Sequence, residues 1–379
     1  MQSPGRTSQL RRVAVLFNNA GGYSRNVIKG VTSFAASRPW QLSVEGVTES
    51  DLISRLSEFS GAIVQVTLKQ IIPTLRRAGI PVVNVSSAGP GRVLPSVVSD
   101  DDAIGRMGAE HFLRLGFRSL VYFGPDQREF ARTRRDGFQG HCTAVAATCH
   151  TAMTSLELPP LLQSLPKPIG VMACNDRAGL AALHHARSLG MKVPDDVAVL
   201  GVDNDDLVQS IAFPPLSSIN TARERIGFEA ASLLDKLISG ASAPKVPIAV
   251  QPIGIISRLS TSTLAISDAD VSEAARFIHA NAVRRIGVDD VARSVSVSRR
   301  QLERRFRTTL GRSIHDEIVR VRLDQARRLL ATTHLTLEQV SAACGFSSQS
   351  YFQVVFRRSL GSTPGAYRSL FFSRPHASA

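Results

Sequence analysis

The chain is expected to fold as an α/β unit of parallel sheets flanked by helices, followed by an all-α module in which one helix-turn-helix unit is used twice. Three observations carry this. Short β-branched runs at 13–17, 62–66, 82–85, 120–123, 169–174 and 197–202 recur between helical stretches, an alternation that favours parallel sheets covered on both faces. The final hundred or so residues hold one pattern twice, which marks a reused supersecondary unit. That final part is also loaded with arginine: residues 270–379 contain 18 Arg, no Lys and nine Asp plus Glu, so they carry +9 of the formal +14.

In an open parallel sheet, ligands bind just beyond the carboxyl ends of the strands. After the first run comes a loop holding Asn18, Tyr23, Ser24 and Arg25, leading into a helix expected over 24–37. Later strand ends give Asp100, then Asn175 and Asp176, then Asp203, while Arg134 opens Arg134-Arg135-Asp136-Gly137-Phe138 in a connection. Carboxylates, amides and a guanidinium converging on one cleft can bond several hydroxyls at once, and Tyr23 can cover an apolar ring face. That is chemistry for a sugar. Taken singly, Asp203 or Asn175 could equally cap the next helix. The segment 240–252, with Pro244, Pro247 and Pro252, reads as a loop and an edge strand returning to this unit. The α/β unit is expected over 12–261, a Ser/Thr/Asp-rich linker over 262–269 and the helical module over 270–372, with both chain ends disordered.

Within the helical module the repeated units span 288–311 and 336–361, each a short helix, a tight turn and a second helix. The turns carry Ser296-Val297-Ser298 and Gly345-Phe346-Ser347-Ser348, where a small residue permits the turn and a serine can cap the second helix. The second helices bury Leu302 and Phe306, or Phe352 and Phe356, at four-residue spacing. Facing outward are Arg299, Arg300, Glu303, Arg304 and Arg307 in the first, and Gln349, Ser350, Gln353, Val354 and Arg357 in the second. Arg can pair with guanine and Gln with adenine in the major groove. A continuous helix over 313–332, striped by Val319, Leu323, Ala326 and Leu330, joins the units. At about 1.5 Å per residue it spans roughly 30 Å, close to the 34–36 Å or so of one duplex turn. One chain could then place both reading helices in successive segments of the major groove.

Residues 270–368, including the closing Thr363-Pro364 and Tyr367-Arg368, resemble the DNA-binding domain of the AraC/XylS family. The resemblance implies base-facing roles for Arg300, Glu303 and Arg304 in the first unit and for Gln349, Ser350, Gln353 and Val354 in the second. Two departures stand out. Glu303 is acidic, so it either accepts from cytosine or orients Arg304, and Val354 can at most touch a thymine methyl. Further back, Ala173-Cys174-Asn175-Asp176, Val193-Pro194-Asp195-Asp196, Gly201-Val202-Asp203, Pro215-Leu216-Ser217-Ser218 and the Arg258, Ser260, Thr261 ending resemble the LacI/GalR effector domain, itself similar to periplasmic sugar-binding proteins. This implies a periplasmic-binding-protein-like sensor of two lobes with a sugar between them, contacted by Asp100, Arg134, Asn175 and Asp203, and a homodimer formed through the lobes. LacI/GalR proteins carry their reader at the N-terminus, whereas the first strand here begins by Arg12. A sensor joined to a C-terminal AraC-type reader is an arrangement within the AraC/XylS family that implies D-xylose as effector, activation through RNA polymerase and an operator in double-stranded DNA; a sugar-responsive repressor is the alternative the residues leave open. The Gly21-Gly22-Tyr23-Ser24 loop is smaller and less charged than that arrangement leads one to expect, which leaves another pentose, a hexose or a sugar acid open.

Composition excludes other classes. No stretch reaches the roughly 20 apolar residues of a membrane span, and the N-terminus lacks a signal-peptide core, so a cytoplasmic location is expected. Cys142, Cys149, Cys174 and Cys344 fit a reduced compartment, and His141-Cys142 with Cys149-His150 matches no usual zinc spacing. The rival reading is a sugar phosphotransferase holding Mg²⁺ on the acidic runs 100–102 and 203–206. No phosphate-cradling loop, dinucleotide fingerprint or nucleophile elbow accompanies those runs. A sequence-blind chromosome-binding protein is the third possibility. Neither a cofactor nor a metal is expected.

Overall fold

The computed structural model describes residues 10–17, 22–46, 55–66, 71–87, 93–125, 127–262, 266 and 268–369. Asn18, the first part of the loop that follows it and residues 370–372 therefore lie outside the described residues.

Two lobes are built on two sheets. In the first, β1 (Arg11–Phe17), β2 (Trp40–Gly46), β3 (Gly61–Val64) and β4 (Val82–Asn84) pair in the order β2-β1-β3-β4, all parallel, with α1 (Gly22–Ala35) and α2 (Ile72–Arg77) in the crossovers. Strand β1 shows why it forms. Val13, Val15 and Phe17 point into one core while Ala14 and Leu16 point into another, so a continuous apolar run is buried on both faces. Strand β5 (Val97–Ser99) continues this lobe and later pairs in parallel with β11 (Ile248–Val250), the edge strand expected within 240–252.

The second lobe comprises α3 (Asp101–Arg114), β6 (Ser119–Phe123), α4 (Glu129–Ala144), β7 (Thr148–Ala152), α5 (Leu158–Ser164), β8 (Ile169–Ala173), α6 (Asp176–Ser188), β9 (Val197–Val202), α7 (Asp206–Ile211) and β10 (Ser217–Asn220). Helix α8 (Arg223–Ile238) then returns to the first lobe against α1. Strand β12 (Gly254–Ile256) closes the second sheet, of order β12-β10-β9-β8-β6-β7, as its antiparallel edge. The chain thus crosses between lobes three times, after β5, after β10 and between β11 and β12. Those crossings form the hinge. Close helix packing fixes its neighbourhood: a Cβ at Gly105 of α3 would lie 2.0 Å from the carbonyl oxygen of Arg134 on α4, so only glycine lets the two helices meet there.

The helical module begins with α9 (Ala269–Asn281), capped by Asp268 from the expected linker. Then come α10 (Val288–Arg293), α11 (Arg299–Leu310), α12 (Ile314–Thr332), α13 (Leu337–Ala343), α14 (Gln349–Leu360) and α15 (Pro364–Ser369). The joining helix starts one residue later than the sequence suggests, because Ser313 is its cap and forms a reciprocal capping box with Asp316. Thr336 likewise caps α13 rather than opening it. Helix α12 serves two cores: Ile314 and Ile318 pack into that of the first unit, Leu323, Ala326 and Leu330 into that of the second.

Candidate functional site

Polar side chains from both lobes converge on the hinge side of the cleft. Arg134, 5% exposed, reaches from α4 and donates through Nε to Asp101 Oδ1 at 2.8 Å and through Nη1 to the Cys174 carbonyl at 2.6 Å. Ser87 donates to the other Asp101 oxygen at 2.7 Å. Asp203, at the end of β9, lies 3.9 Å from Arg134 and accepts from Arg223 Nη2 at 2.6 Å. Burial opposes the charge on Arg134, but Asp101 and Asp203 outweigh it and hold the guanidinium protonated more firmly than usual. The Arg223 guanidinium stands over the Tyr23 ring at 5.2 Å, a cation–π contact, and Tyr23 donates its hydroxyl to the Val85 carbonyl.

Two features give this cluster the character of a ligand site. Asp203 adopts φ +112°, a conformation L-residues rarely hold, and is fixed there by its N–H to the Ile219 carbonyl at 2.8 Å. Arg223, 4% exposed, leaves Nε and Nη1 without a hydrogen-bond partner. Buried donors left unpaired are costly, and hydroxyl or ring oxygens of a small ligand would satisfy them. The lobes approach closely here. A Cβ at Gly22 would lie 2.3 Å from Asp205 Oδ2, so the small residue in the opening loop lets the first lobe close on the second.

The expected contact residues divide between this cluster and other tasks. Tyr23, Arg134 and Asp203 are brought together. Ser24 is buried, 3.4 Å from Gln65 Oε1, while Arg25 is exposed. Asp100 caps α3 by accepting from Ala103 N at 2.9 Å, and Asn175 caps α6 through Ala178 N, also at 2.9 Å. Asp176 makes its hydrogen bonds within its own lobe, accepting from Ser218 Oγ at 2.6 Å and Asp205 N at 2.7 Å. Burial, then Asp203, pushes its carboxyl up to about 7. Sequence reasoning missed Asp101, Ser87 and Arg223. The Asp100-Asp101-Asp102 run held the signal for the first: Asp100 caps the helix while Asp101 is buried beside Arg134. The acidic runs that suggested Mg²⁺ are matched by guanidinium groups at Asp101 and Asp203, and among the described residues no three His, Cys, Asp or Glu side chains group as metal ligands.

The second candidate surface is the outer face of α11 and α14. Ser298 and Ser348 cap these helices by accepting from Gln301 N and Tyr351 N. Leu302, Phe306, Phe352 and Phe356 are fully buried beneath them. Arg299, Arg300, Glu303, Arg304, Arg307, Gln349, Ser350, Val354 and Arg357 are exposed, and Gln353 is half-buried. Glu303 orients Arg299, accepting from its Nε at 3.0 Å, rather than the expected Arg304, because residues four apart on a helix are neighbours while adjacent ones do not face each other. Arg299 also reaches Asp289 on α10 at 2.6 Å, tying the two helices together. Arg300 and Arg304 keep their guanidinium groups free of protein partners among the described residues.

The two sites are physically joined. Arg328 of α12 donates to the Ile255 carbonyl on β12 at 3.2 Å, and Tyr367 of α15 donates to the Ile253 carbonyl at 3.2 Å, so helices of the reader bond the third interlobe crossing. Ala331 of α12 packs into the core of the first lobe, and Ala331 and Thr332 border a cavity of about 360 Å³ that Asp203 and Arg223 also line.

A family model described as a periplasmic binding protein-like domain matches residues 109–261, and one described as a helix-turn-helix domain matches 291–369. The chain is 28% identical to the xylose operon regulatory protein of Escherichia coli K12, covering 95% of this chain and 97% of that one. It is 28% identical to the Haemophilus influenzae protein of the same name, covering 96% and 99%. The solved structure of the xylose-binding transcription activator xylR matches with a TM-score of 0.60 at 27% identity, covering 96% of this chain and 99% of that one. A cellobiose complex of the regulator CelR shares the sensor fold, with a TM-score of 0.56 at 24% identity over 68% of this chain and 86% of that one.

Proposed function

We infer that this homologue of the xylose operon regulatory proteins is a sugar-responsive, sequence-specific DNA-binding transcription regulator, an activator whose effector is D-xylose. One observation carries the reading: α12, which spaces the two reading helices, is bonded to the hinge of the sensor. A sugar between the lobes stabilises one hinge geometry, and the carbonyls of Ile253 and Ile255 transmit it to Tyr367 and Arg328. The ligand shifts DNA binding by its differential affinity for the two hinge states, and DNA must in turn shift sugar affinity. In this reading Asp101, Arg134, Asp203 and Arg223 hold the sugar hydroxyls, Tyr23 covers a ring face, and Asp100 and Asn175 set the helices that carry Asp101 and Asp176.

The sensor is taken as residues 12–261 and the reader as 270–372. The protein works in the cytoplasm, and no described helix is long and apolar enough to cross a membrane. It acts as a homodimer. Leu207 and Ile211 on one face of α7, with Phe213 beside them, are 63%, 61% and 75% exposed, an apolar patch suited to a second copy. RNA polymerase is the partner through which activation would be exerted.

The test is operator affinity by fluorescence anisotropy, on DNA selected from a random pool, with D-xylose, L-arabinose, D-ribose, D-glucose and their acids. One sugar is expected to change affinity by about 5- to 150-fold and to raise the melting temperature of the sensor. A panel that moves neither quantity would overturn sugar control. Transcription from a template bearing the selected site then reads the sign of regulation.

A further inference from the structure

A second cavity, of about 260 Å³, lies between sensor and reader. Its sensor wall is α3, with His111 and Arg114, and its floor is the backbone around β12. The reader wall is one face of α12, where Arg320, Asp324, Arg327 and Arg328 recur at helical spacing, with His279 of α9 beside them.

The charge there does not balance. Four arginines line the cavity, Arg114, Arg320, Arg327 and Arg328, and a fifth, Arg312, joins their network from outside it by donating to the Arg114 carbonyl at 2.8 Å. Three carboxylates answer them. Glu110 takes Arg114 at 3.0 Å, Glu317 takes Arg312 at 2.5 Å and Arg320 at 2.6 Å, and Asp324 takes Arg320 at 2.7 Å. Among the described residues, Arg327 meets Asp324 only at 4.0 Å and otherwise bonds the Tyr367 hydroxyl, while Arg328 bonds only the neutral Gln325 and Ile255. Two positive charges are left over before either histidine is counted. His111 lies among these groups: burial first, and then Arg114, Arg320 and His279, push its imidazole down to about 3, and its buried Nε2 has no hydrogen-bond partner.

Uncompensated half-buried cations carry part of the cost of desolvation, and guanidinium groups pair well with multidentate oxyanions. A dianion would cancel the surplus, and its several oxygens could reach Arg114 on one wall and Arg327 and Arg328 on the other. We propose that this cavity binds a phosphate group, as the free ion or as the phosphate ester of a small metabolite, and that the bound anion pins the reader's joining helix to the sensor. The site is distinct from the sugar cleft and gives the regulator a second chemical input.

The full-length protein is titrated with inorganic phosphate by calorimetry and thermal unfolding, at fixed ionic strength balanced with chloride. Wild type is compared with Arg114→Gln and Arg328→Gln, one from each wall, and with Arg300→Gln on the DNA-reading face. Saturable single-site binding is expected, weakened roughly tenfold or more by either cavity variant, as for loss of one charge-assisted hydrogen bond, and unchanged by Arg300→Gln. Far-UV circular dichroism checks folding, and the second wall stands in if one variant is misfolded. Absence of saturation, or weakening by Arg300→Gln alone, overturns the proposal. A pentose 5-phosphate binding more tightly than inorganic phosphate identifies an ester as ligand; equal affinity identifies the free ion. Neither result depends on whether a neutral sugar binds the cleft.

Discussion

The two helix-turn-helix units share a skeleton and differ in what it carries. Both bury an apolar pair at four-residue spacing, and both reading helices end on a left-handed glycine, Gly311 at φ +69° and Gly361 at φ +70°. Phe306 is the single aromatic among the fully buried residues of the first core, and beneath that core lies the charged cluster around Glu317. The second core is a chain of rings, Phe346 to Phe352 at 5.1 Å, Phe352 to Phe356 at 5.5 Å and Phe356 to Tyr367 at 5.5 Å. The outer faces differ in the same sense, cationic on α11 and mostly neutral on α14. Duplication fixes the frame, and the side chains then divide the labour: the first head is suited to gripping by charge, the second to reading by hydrogen bond and shape.

The largest expected effect lies in the cores. Phe306→Ala and Phe352→Ala should each cost about 3–5 kcal/mol. The second should cost more, since each ring pair adds about 0.5–1.5 kcal/mol beyond buried area. Chemical denaturation of the two variants measures this, and equal losses would remove the distinction between the cores. Next comes Glu317, 1% exposed, whose carboxyl is held well below its ordinary value by Arg320, His279 and Arg312 against the cost of burial. A lowered folded-state value means stability present above the unfolded value of 4.5 and lost as pH falls through the folded one. Acidification below pH 4.5 should therefore open the first unit before the second, as read by hydrogen exchange. Glu317→Gln should open it at neutral pH, at a cost of roughly 3–5 kcal/mol for a broken buried pair.

On DNA, Arg300→Ala and Gln353→Ala should each cost about 1–3 kcal/mol at the selected site. Loss of any phosphate contact made by Arg300 would also lower the salt slope by about one unit, whereas loss of Gln353 should leave the slope unchanged. Equal loss on selected and random DNA would count against Arg300 as a base reader. The smallest difference concerns the caps. Ser348→Ala should cost about 1 kcal/mol. Ser298→Ala should cost less, because Gln301 Oε1 still accepts from the residue 298 N–H, now at 3.4 Å, as the surviving half of the capping box. Thermal unfolding resolves the two.

Sequence made the duplicated module readable because its determinants are local: apolar spacing, caps and turn residues lie within a dozen positions of one another. The strands that emerged from sequence are those buried on both faces, such as β1 and β9. Strands β2, β7 and β10 escaped because Gln41, Ser43 and Glu45, then Thr148, His150 and Thr151, then Ser217 and Ser218 interrupt their apolar character, and their neighbours in the sheet hold them extended. The cleft was half legible for the same reason. Arg134 and Asp203 stand next to recognisable strand and helix signals. Arg223 meets Asp203 only because β10 hands the chain across the hinge into α8, a long-range fact that no local pattern carries. Along the Asp100–Asp102 run the chemistry is displaced by one residue, since the first carboxylate is used by the helix itself.

Helix α12 is also a ruler. One added residue in its middle would advance the second head by about 1.5 Å and turn it through roughly 100°, swinging its reading face out of line with the first. Seven added residues would restore the angle to within about 20° but shift the head by about 10.5 Å, or three base-pair steps at about 3.4 Å each. The side chains on α11 and α14 can change to suit a new sequence one position at a time, while the residue count between them can change only in whole turns, and each such change redraws the spacing of the site.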